Sequence, residues 1–555
     1  MREIWAEVKN IWKNKAYSIP MVITALLAYG YKITHFTVGI DDTPYNYYFS
    51  EGMNVLVGRW VLFLLNKTLN IGKLLPFVTD FAGVMLLMLA ASLYVVAFKR
   101  VVKKNVSISV SYLFSALLIT CPLICEVYTY FLHNGISVGY VANALALLMF
   151  LKGDETVGKR KWADFLLSAL FLFISIGCYE SFASVFLAGA SIMLLARATH
   201  EVKEKSFLRN IKRIGLVALI ELVSIVFRAL MQKLLILVFD IHNLRTEEVS
   251  RSVTEMMGWV LTAEGRADFV MALKRFFVMY GVFGIHYLPI AIFLMAIVVI
   301  LVFGVFMAIR KKSLWALIYM LGIYVSCIIL MFIEGSVTLY RSAQFLPLVS
   351  AFGITLFFMA ASFATEKIKK YSKPVLVVLG FIILSRQIID MNNWFYIDTL
   401  KYQEARRITD DIAEDILKTC DNAGKPIIFA GEFHPSVSII EDAYVAFGSE
   451  EYERIKAITD IVDSELIWKF FRRNRFEVAQ TPTLSVISWG QEAFLSSYEV
   501  VRFMNMSGYT FVGTDDIEAI RTLPLKYLDS MESYPRDGYI YEDENYIIVN
   551  MGMGY

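Results

Sequence analysis

Residues 19–44 read IPMVITALLAYGYKITHFTVGIDDTP, an apolar run from Ile19 to about Val38 that ends on the acidic doublet Asp41-Asp42 and a Thr43-Pro44 turn. A run of about 20 apolar residues is the length at which an α-helix crosses the hydrocarbon core of a bilayer. The pattern recurs at 76–98, 106–125, 135–151, 163–180, 182–197, 214–238, 286–309, 314–333, 342–363 and 374–390. By length that makes about eleven spans. With 57% hydrophobic residues and a mean hydropathy of +0.56, the chain is too apolar for an ordinary soluble enzyme. From Asn392 onward the character changes. An amphipathic helical period covers 396–419, a buried strand is predicted at Lys425–Gly431, helices at Glu450–Arg473 and Gln491–Met506, and a terminal hairpin at Tyr539–Met551 turning near Asp543-Glu544-Asn545. The predicted fold is therefore mainly α: a polytopic transmembrane helical bundle over 19–390, followed by a small extracytoplasmic α/β domain over 391–555.

The charges set the orientation. Lys99-Arg100 with Lys103-Lys104, Lys152 with Lys159-Arg160-Lys161, Arg197–Arg213, Arg310-Lys311-Lys312 and Lys367–Lys373 are basic connections. With the N-terminal segment they hold about 25 Lys and Arg, against about 9 in the intervening connections, the bias that marks cytoplasmic loops. The N-terminus is then cytoplasmic, Asp41-Asp42 lie outside, and an odd number of spans puts the C-terminal domain outside. Residues 1–18 read as an amphipathic helix on the cytoplasmic interface, with Ile4, Trp5, Val8, Ile11 and Trp12 on one stripe. No small-residue cleavage site follows the first apolar run, so that helix is expected to remain in the protein. A long outer loop, 39–75, carries a second amphipathic period that predicts a helix over Glu51–Asn70. The cysteines Cys121, Cys125, Cys178, Cys327 and Cys420 offer neither a disulfide framework nor metal-ligand spacing. With no nucleic-acid-binding motif or basic tail in view, no polynucleotide partner is expected.

Moving a sugar from a lipid phosphate to a hydroxyl requires a carboxylate to take the proton of the attacking oxygen. It also requires a cation to hold the departing phosphate. Asp41 and Asp42 suit the first role: neighbours in sequence point apart, so one would act as base while the other orients a hydroxyl or shares a divalent cation, magnesium or manganese. They read equally as a polar helix end closed by a turn. Arg59, in Gly58-Arg59-Trp60, and Arg341 suit the second role, because a planar guanidinium matches phosphate. Each would also serve as an interfacial anchor. Glu126, Tyr179 and Glu180 fall at outer helix ends on the same layer and are candidates for acceptor binding or for supporting the catalytic groups. Glu221 and Arg228 lie deep in the 214–238 span, where an ionisable residue needs a partner, and at i, i+7 they would form one polar seam.

Taken together, the Asp41-Asp42 doublet, Gly58-Arg59-Trp60, Cys178-Tyr179-Glu180-Ser181-Phe182 and Tyr340-Arg341-Ser342 resemble the type II glucosyltransferase family over roughly residues 1–390. That resemblance implies a GT-C type fold in the cell membrane and a polyprenyl-phosphate sugar donor. It also implies a cell-surface polysaccharide acceptor and a catalytic acid in the first outer loop. Two other readings share the membrane plan: a flippase or transporter of lipid-linked glycans, which would use the Glu221–Arg228 seam, and a surface-glycan polymerase.

Overall fold

The computed structural model describes residues 1–37, 52, 54–69, 77–102, 106–128, 133–198, 206–241, 257–281, 290–335, 342–362, 366–433, 489–490, 497–514 and 516–552. Mostly helical, it divides into two compact units. One comprises Met1–Thr34 with Ser50–Asn393, and the other His35–Phe49 with Trp394–Tyr555.

The first unit is a helical bundle. Its elements are α1 (Arg2–Lys13), α2 (Lys15–Thr34), α3 (Trp60–Leu69), α4 (Val78–Val102), α5 (Ile108–Ile119), α6 (Leu123–Tyr128), α7 (His133–Glu155), α8 (Arg160–Cys178), α9 (Phe182–Arg197), α10 (Ser206–Phe239), α11 (Ala263–Gly281), α12 (Ile290–Lys311), α13 (Trp315–Glu334), α14 (Leu346–Ser362) and the first part of α15 (Glu366–Thr419). Among the described residues, 7 helices are long and apolar enough to cross a membrane: α4, α7, α8, α10, α12, α13 and α15. Shorter apolar helices occupy Ile108–Ile119, Phe182–Arg197 and Leu346–Met359. Each predicted span overlaps a helix, but the one expected over 106–125 is split into α5 and α6 at residues 120–122, and α2 meets neither criterion. The predicted helix over Glu51–Asn70 is broken: residues 54–56 are helical, Val57-Gly58 turn, and α3 starts at Trp60.

Helices α4, α7, α8 and α9 pack at the centre, where Tyr94, Tyr140, Phe150, Phe182 and Phe186 are fully buried. Large apolar side chains on α2, α10, α12 and α15 instead stand exposed, including Leu26, Leu237, Val302 and Phe381. Such a surface suits hydrocarbon and is unsuited to water. Inside the bundle several polar groups satisfy one another. Tyr17 Oη lies 3.0 Å from Ser92 Oγ and 2.8 Å from Ser115 Oγ, and Tyr140 Oη donates to Gln344 Oε1 at 2.8 Å. Asn143 donates to the Phe182 carbonyl at 2.9 Å and accepts from Tyr94 Oη at 3.0 Å.

At one end of the bundle a buried ion cluster ties four helices together. Asp154, near the end of α7, accepts from Arg197 at the end of α9 and from Arg213 in the first turns of α10, the latter at 2.8 Å. Arg197 also reaches Glu155 at 2.7 Å. Asn210 accepts from Arg213 at 3.1 Å and from Tyr319 of α13 at 2.8 Å. Nearby, Lys152 pairs with Asp164 of α8 at 2.9 Å. The basic residues Lys152, Arg197 and Arg213 therefore meet at one end, where α7 and α9 finish and α8 and α10 begin.

In the second unit, β1 (Pro426–Ala430) is central to a four-stranded sheet of order β4-β1-β6-β5, with β4 (Val512–Gly513), β5 (Ile540–Glu542) and β6 (Ile547–Asn550). β1 runs parallel to β4 and β6, and β5 is antiparallel to β6. A separate antiparallel pair joins β2 (Glu432–Phe433) to β3 (Trp489–Gly490). Two further helices are α16 (Ser497–Asn505) and α17 (Ile517–Tyr527), the latter capped by Asp516 accepting from Ala519 N at 3.0 Å. Ile427, Phe429, Ile547 and Val549 meet Ile408, Ile412 and Ile416 of α15 in the core. The strand, the helix at 497–505 and the terminal hairpin match expectation. Residues 396–419, expected as a separate helix, continue α15 without a break, because no glycine or proline interrupts the chain between Gly380 and Thr419. Residues 450–473 lie outside the described residues.

Replacing Asp154 by Asn removes the one charge that faces two buried guanidiniums, whose side chains are 6% and 2% exposed. The expected loss is about 3–5 kcal/mol of stability, read as a lowered melting temperature in detergent. Glu414→Gln removes the exposed partner of Lys418 and should leave the melting temperature unchanged.

Candidate functional site

At the other end of the bundle, Gly58-Arg59-Trp60 meets the α8–α9 turn. Gly58 has φ +79°, and a Cβ there would lie 2.3 Å from Arg228 Nη2, so both the backbone and the space call for glycine. Arg228, from α10, donates from Nε to the Gly58 carbonyl at 3.1 Å and from Nη2 to the Val57 carbonyl at 2.6 Å. Gln232, one turn further along α10, donates to the Leu56 carbonyl. The end of the helical turn at 54–56 leaves carbonyls without intrahelical partners, and α10 supplies their donors. The expected seam of Glu221 with Arg228 does not form. Arg228 is used by the backbone turn, and Glu221 Oε1 is buried without a hydrogen-bond partner among the described residues.

The clamped turn presents Arg59. Its Nε donates to Glu180 Oε2 at 3.2 Å and its Nη2 to Glu180 Oε1 at 2.9 Å, a two-pronged pairing that fixes the guanidinium plane. The guanidinium carbon lies 4.4 Å from the centre of the Tyr179 ring, within the range of a cation–π contact. Tyr179 Oη in turn lies 3.3 Å from Ser342 Oγ. Trp60, on the other side of Arg59, stacks on Phe173 with ring centres 4.6 Å apart. Its indole fits only because residue 177 is glycine: a Cβ would come within 2.2 Å of Trp60 Nε1. That indole nitrogen and Ser181 Oγ are buried without hydrogen-bond partners among the described residues.

Burial alone would raise the Glu180 carboxyl. The adjacent Arg59 charge and its hydrogen bonds, helped by Arg228, more than offset this and hold it down to about 2. The ionised form of Glu180 is thus the one favoured beside Arg59. It positions Arg59.

The structure thus brings Arg59, Tyr179 and Glu180 together. Asp41, Asp42 and Arg341 lie outside the described residues, as does the side chain of Glu126, whose backbone belongs to α6. The described chain comes within four residues of the doublet at Thr37, whose hydroxyl donates to Asp398 at 2.6 Å, both residues being buried. Asp398 has no signature in the sequence, because a single carboxylate in an amphipathic helix carries no local signal. The partners of Arg228 are backbone carbonyls, which leave no mark in a sequence. Among the described residues, no three His, Cys, Asp or Glu side chains come together in a way that could hold a metal ion.

A family model, glucosyl transferase GtrII, matches residues 30–358. The chain belongs to the GtrII glucosyl transferase family. Arg59, Tyr179, Glu180, Arg228 and Ser342 all fall within the matched stretch, whereas the sheet of the second unit follows it. No curated protein and no solved structure matches the chain. Membership makes the protein a glycosyltransferase, with a sugar donor and an acceptor among its partners.

Glu180→Gln keeps one hydrogen bond to Arg59 but leaves two guanidiniums without their carboxylate. Transfer activity in membranes should fall at least about tenfold, an effect of roughly 1.4 kcal/mol on the barrier. Because the folded carboxyl lies below its ordinary value of 4.5, the pairing is complete above about pH 4.5 and fails only as the pH falls toward 2. The pH–rate curve between pH 5 and 8 should therefore keep its shape in the variant while losing height.

Proposed function

We propose that this GtrII family member transfers a sugar, glucose or another hexose, from a polyprenyl-phosphate carrier to a cell-surface polysaccharide on the outer face of the membrane. The observation that carries the reading is the preset guanidinium of Arg59, gripped by Glu180, resting on Tyr179 and presented by a turn that α10 clamps. A phosphate gaining charge as its sugar leaves is best held by a cation whose orientation is fixed beforehand. The site's depth supports the outer face. Helix α8 begins at Arg160 in the basic end and runs about 27 Å to Cys178 beside Glu180, close to the thickness of a bilayer core. If the basic end is cytoplasmic, the site lies across the membrane from it.

In the proposed reaction an acceptor hydroxyl attacks the anomeric carbon and the bond from that carbon to the phosphate oxygen breaks. The polyprenyl phosphate departs with the electron pair, and Asp41 or Asp42 takes the hydroxyl proton. Arg59 and Arg341 hold the leaving phosphate. Tyr179 and Glu180 support Arg59, and Glu126 is kept as an acceptor-side candidate. Magnesium or manganese shared by the two aspartates is the cation such a doublet would take. The flippase reading loses its main support, since Arg228 is committed to the Gly58 turn and makes no pair with Glu221.

Asp41→Ala, Asp42→Ala and the double variant test the proposal directly. At least one single change should lower glycan modification by about 100-fold or more, the usual worth of a general base, with membrane insertion and protein level unchanged. Full activity in all three would refute the mechanism. Arg59→Lys should weaken donor binding, because an ammonium cannot reproduce the two-pronged contact with Glu180 or the ring contact with Tyr179.

A further inference from the structure

We infer that the outward face of α1 is a docking surface for the anionic headgroups of phospholipids in the leaflet bordering the basic end of the bundle. The inference starts from how α1 spends its apolar face. Ile4, Val8 and Ile11 are buried, and α1 packs on α4 and α2. Two polar contacts fix its rotation: Arg100 of α4 grips Glu7 through both Nε and Nη2, at 3.1 and 2.6 Å, and Trp12 Nε1 donates to Ser92 Oγ at 2.9 Å. The stripe expected to enter the bilayer is therefore occupied by protein, and only Trp5 from it remains outside, 42% exposed.

At about 100° per residue, Arg2, Lys9 and Lys13 fall on the side away from the buried face, with Trp5 at the edge between the two. All four are exposed, and among the described residues none of the three cations has an ion-pair partner. The acidic residues, Glu3 and Glu7, lie on the opposite flank, and Glu7 is already taken by Arg100. The result is a row of three unneutralised charges beside one indole. Immediately after it, α2 begins at Lys15 and exposes Ile19, Val22, Ile23, Leu26 and Leu27. A lipid-facing surface thus starts within about a turn and a half of the basic row, at the level where headgroups and indole rings sit. Charge complementarity selects acidic lipids over zwitterionic ones, by about fivefold for each Lys or Arg near the surface. Because the apolar face is unavailable, the attachment is electrostatic and screened by salt.

The test uses the full-length protein in nanodiscs of phosphatidylcholine carrying a rising share of phosphatidylglycerol, with hydrogen–deuterium exchange followed over residues 2–13. Exchange in the wild type should slow several-fold as phosphatidylglycerol increases. It should return to the phosphatidylcholine rate near 0.5 M salt, where the screening length falls to roughly 4 Å. The triple variant Arg2→Gln, Lys9→Gln, Lys13→Gln should exchange at the phosphatidylcholine rate in every mixture while melting like the wild type. Equal wild-type exchange in both lipids overturns the inference. So does slowing that survives high salt or persists in the triple variant. Should the variant fail to fold, the lipid and salt comparisons on the wild type decide the matter alone.

Discussion

A guanidinium taken out of water must find acceptors, and in a bundle of apolar helices there are few. The arginines of the first unit show how this requirement organises the molecule. Arg197 and Arg213 share Asp154 and so bind the ends of three helices into one knot. Arg228 finds no carboxylate of its own and takes the Val57 and Gly58 carbonyls, which pins a loop to a helix about 170 residues away. Arg59 takes Glu180, and that choice joins the first loop to the turn between α8 and α9. Remove the arginines and the apolar faces would still pack, but nothing would set the register of these polar segments.

The two ends of the bundle use the same chemistry for different purposes. At the basic end the charges neutralise each other in a buried cluster, an arrangement of high cost if broken and no access for a ligand. At the other end the pairing is looser. Glu180 retains a third of its side-chain exposure and Arg59 a fifth, so solvent reaches both. One carboxylate there faces two guanidiniums, and Trp60 and Ser181 bring polar atoms that have no partner among the described residues.

Within the second unit, the buried Thr37 donates a hydrogen bond to Asp398, four residues before the acidic doublet. The same stretch places Phe36 against Tyr402 with ring centres 6.0 Å apart. Residues 36 and 37 are thus held by α15, whose last turns pack against a small mixed sheet. Helix α1 provides a parallel case. Its amphipathic period is plain in the sequence, but the period says only that one face seeks an apolar neighbour. Whether that neighbour is lipid or protein is set by the hydrophobic effect over the whole bundle, and here it is α4 and α2.

What the sequence determined by itself was everything that depends on local periodicity and solvent. Long apolar runs compel helices in a bilayer because no other backbone can satisfy its own hydrogen bonds there. The β-rich pattern at Lys425–Gly431 and the hairpin residues near Asp543 were equally legible, being short-range. Tyr179, Glu180 and Arg59 could be singled out as polar residues at helix ends, yet their pairing across 121 residues could not. The tertiary contacts settle that Arg228 serves a turn and not Glu221, that Glu180 pairs with Arg59, and that α1 buries its apolar face against protein. Each of these turns on which distant groups are within reach, and hydrogen bonds and ion pairs fall off over a few ångströms while sequence separation says nothing about distance.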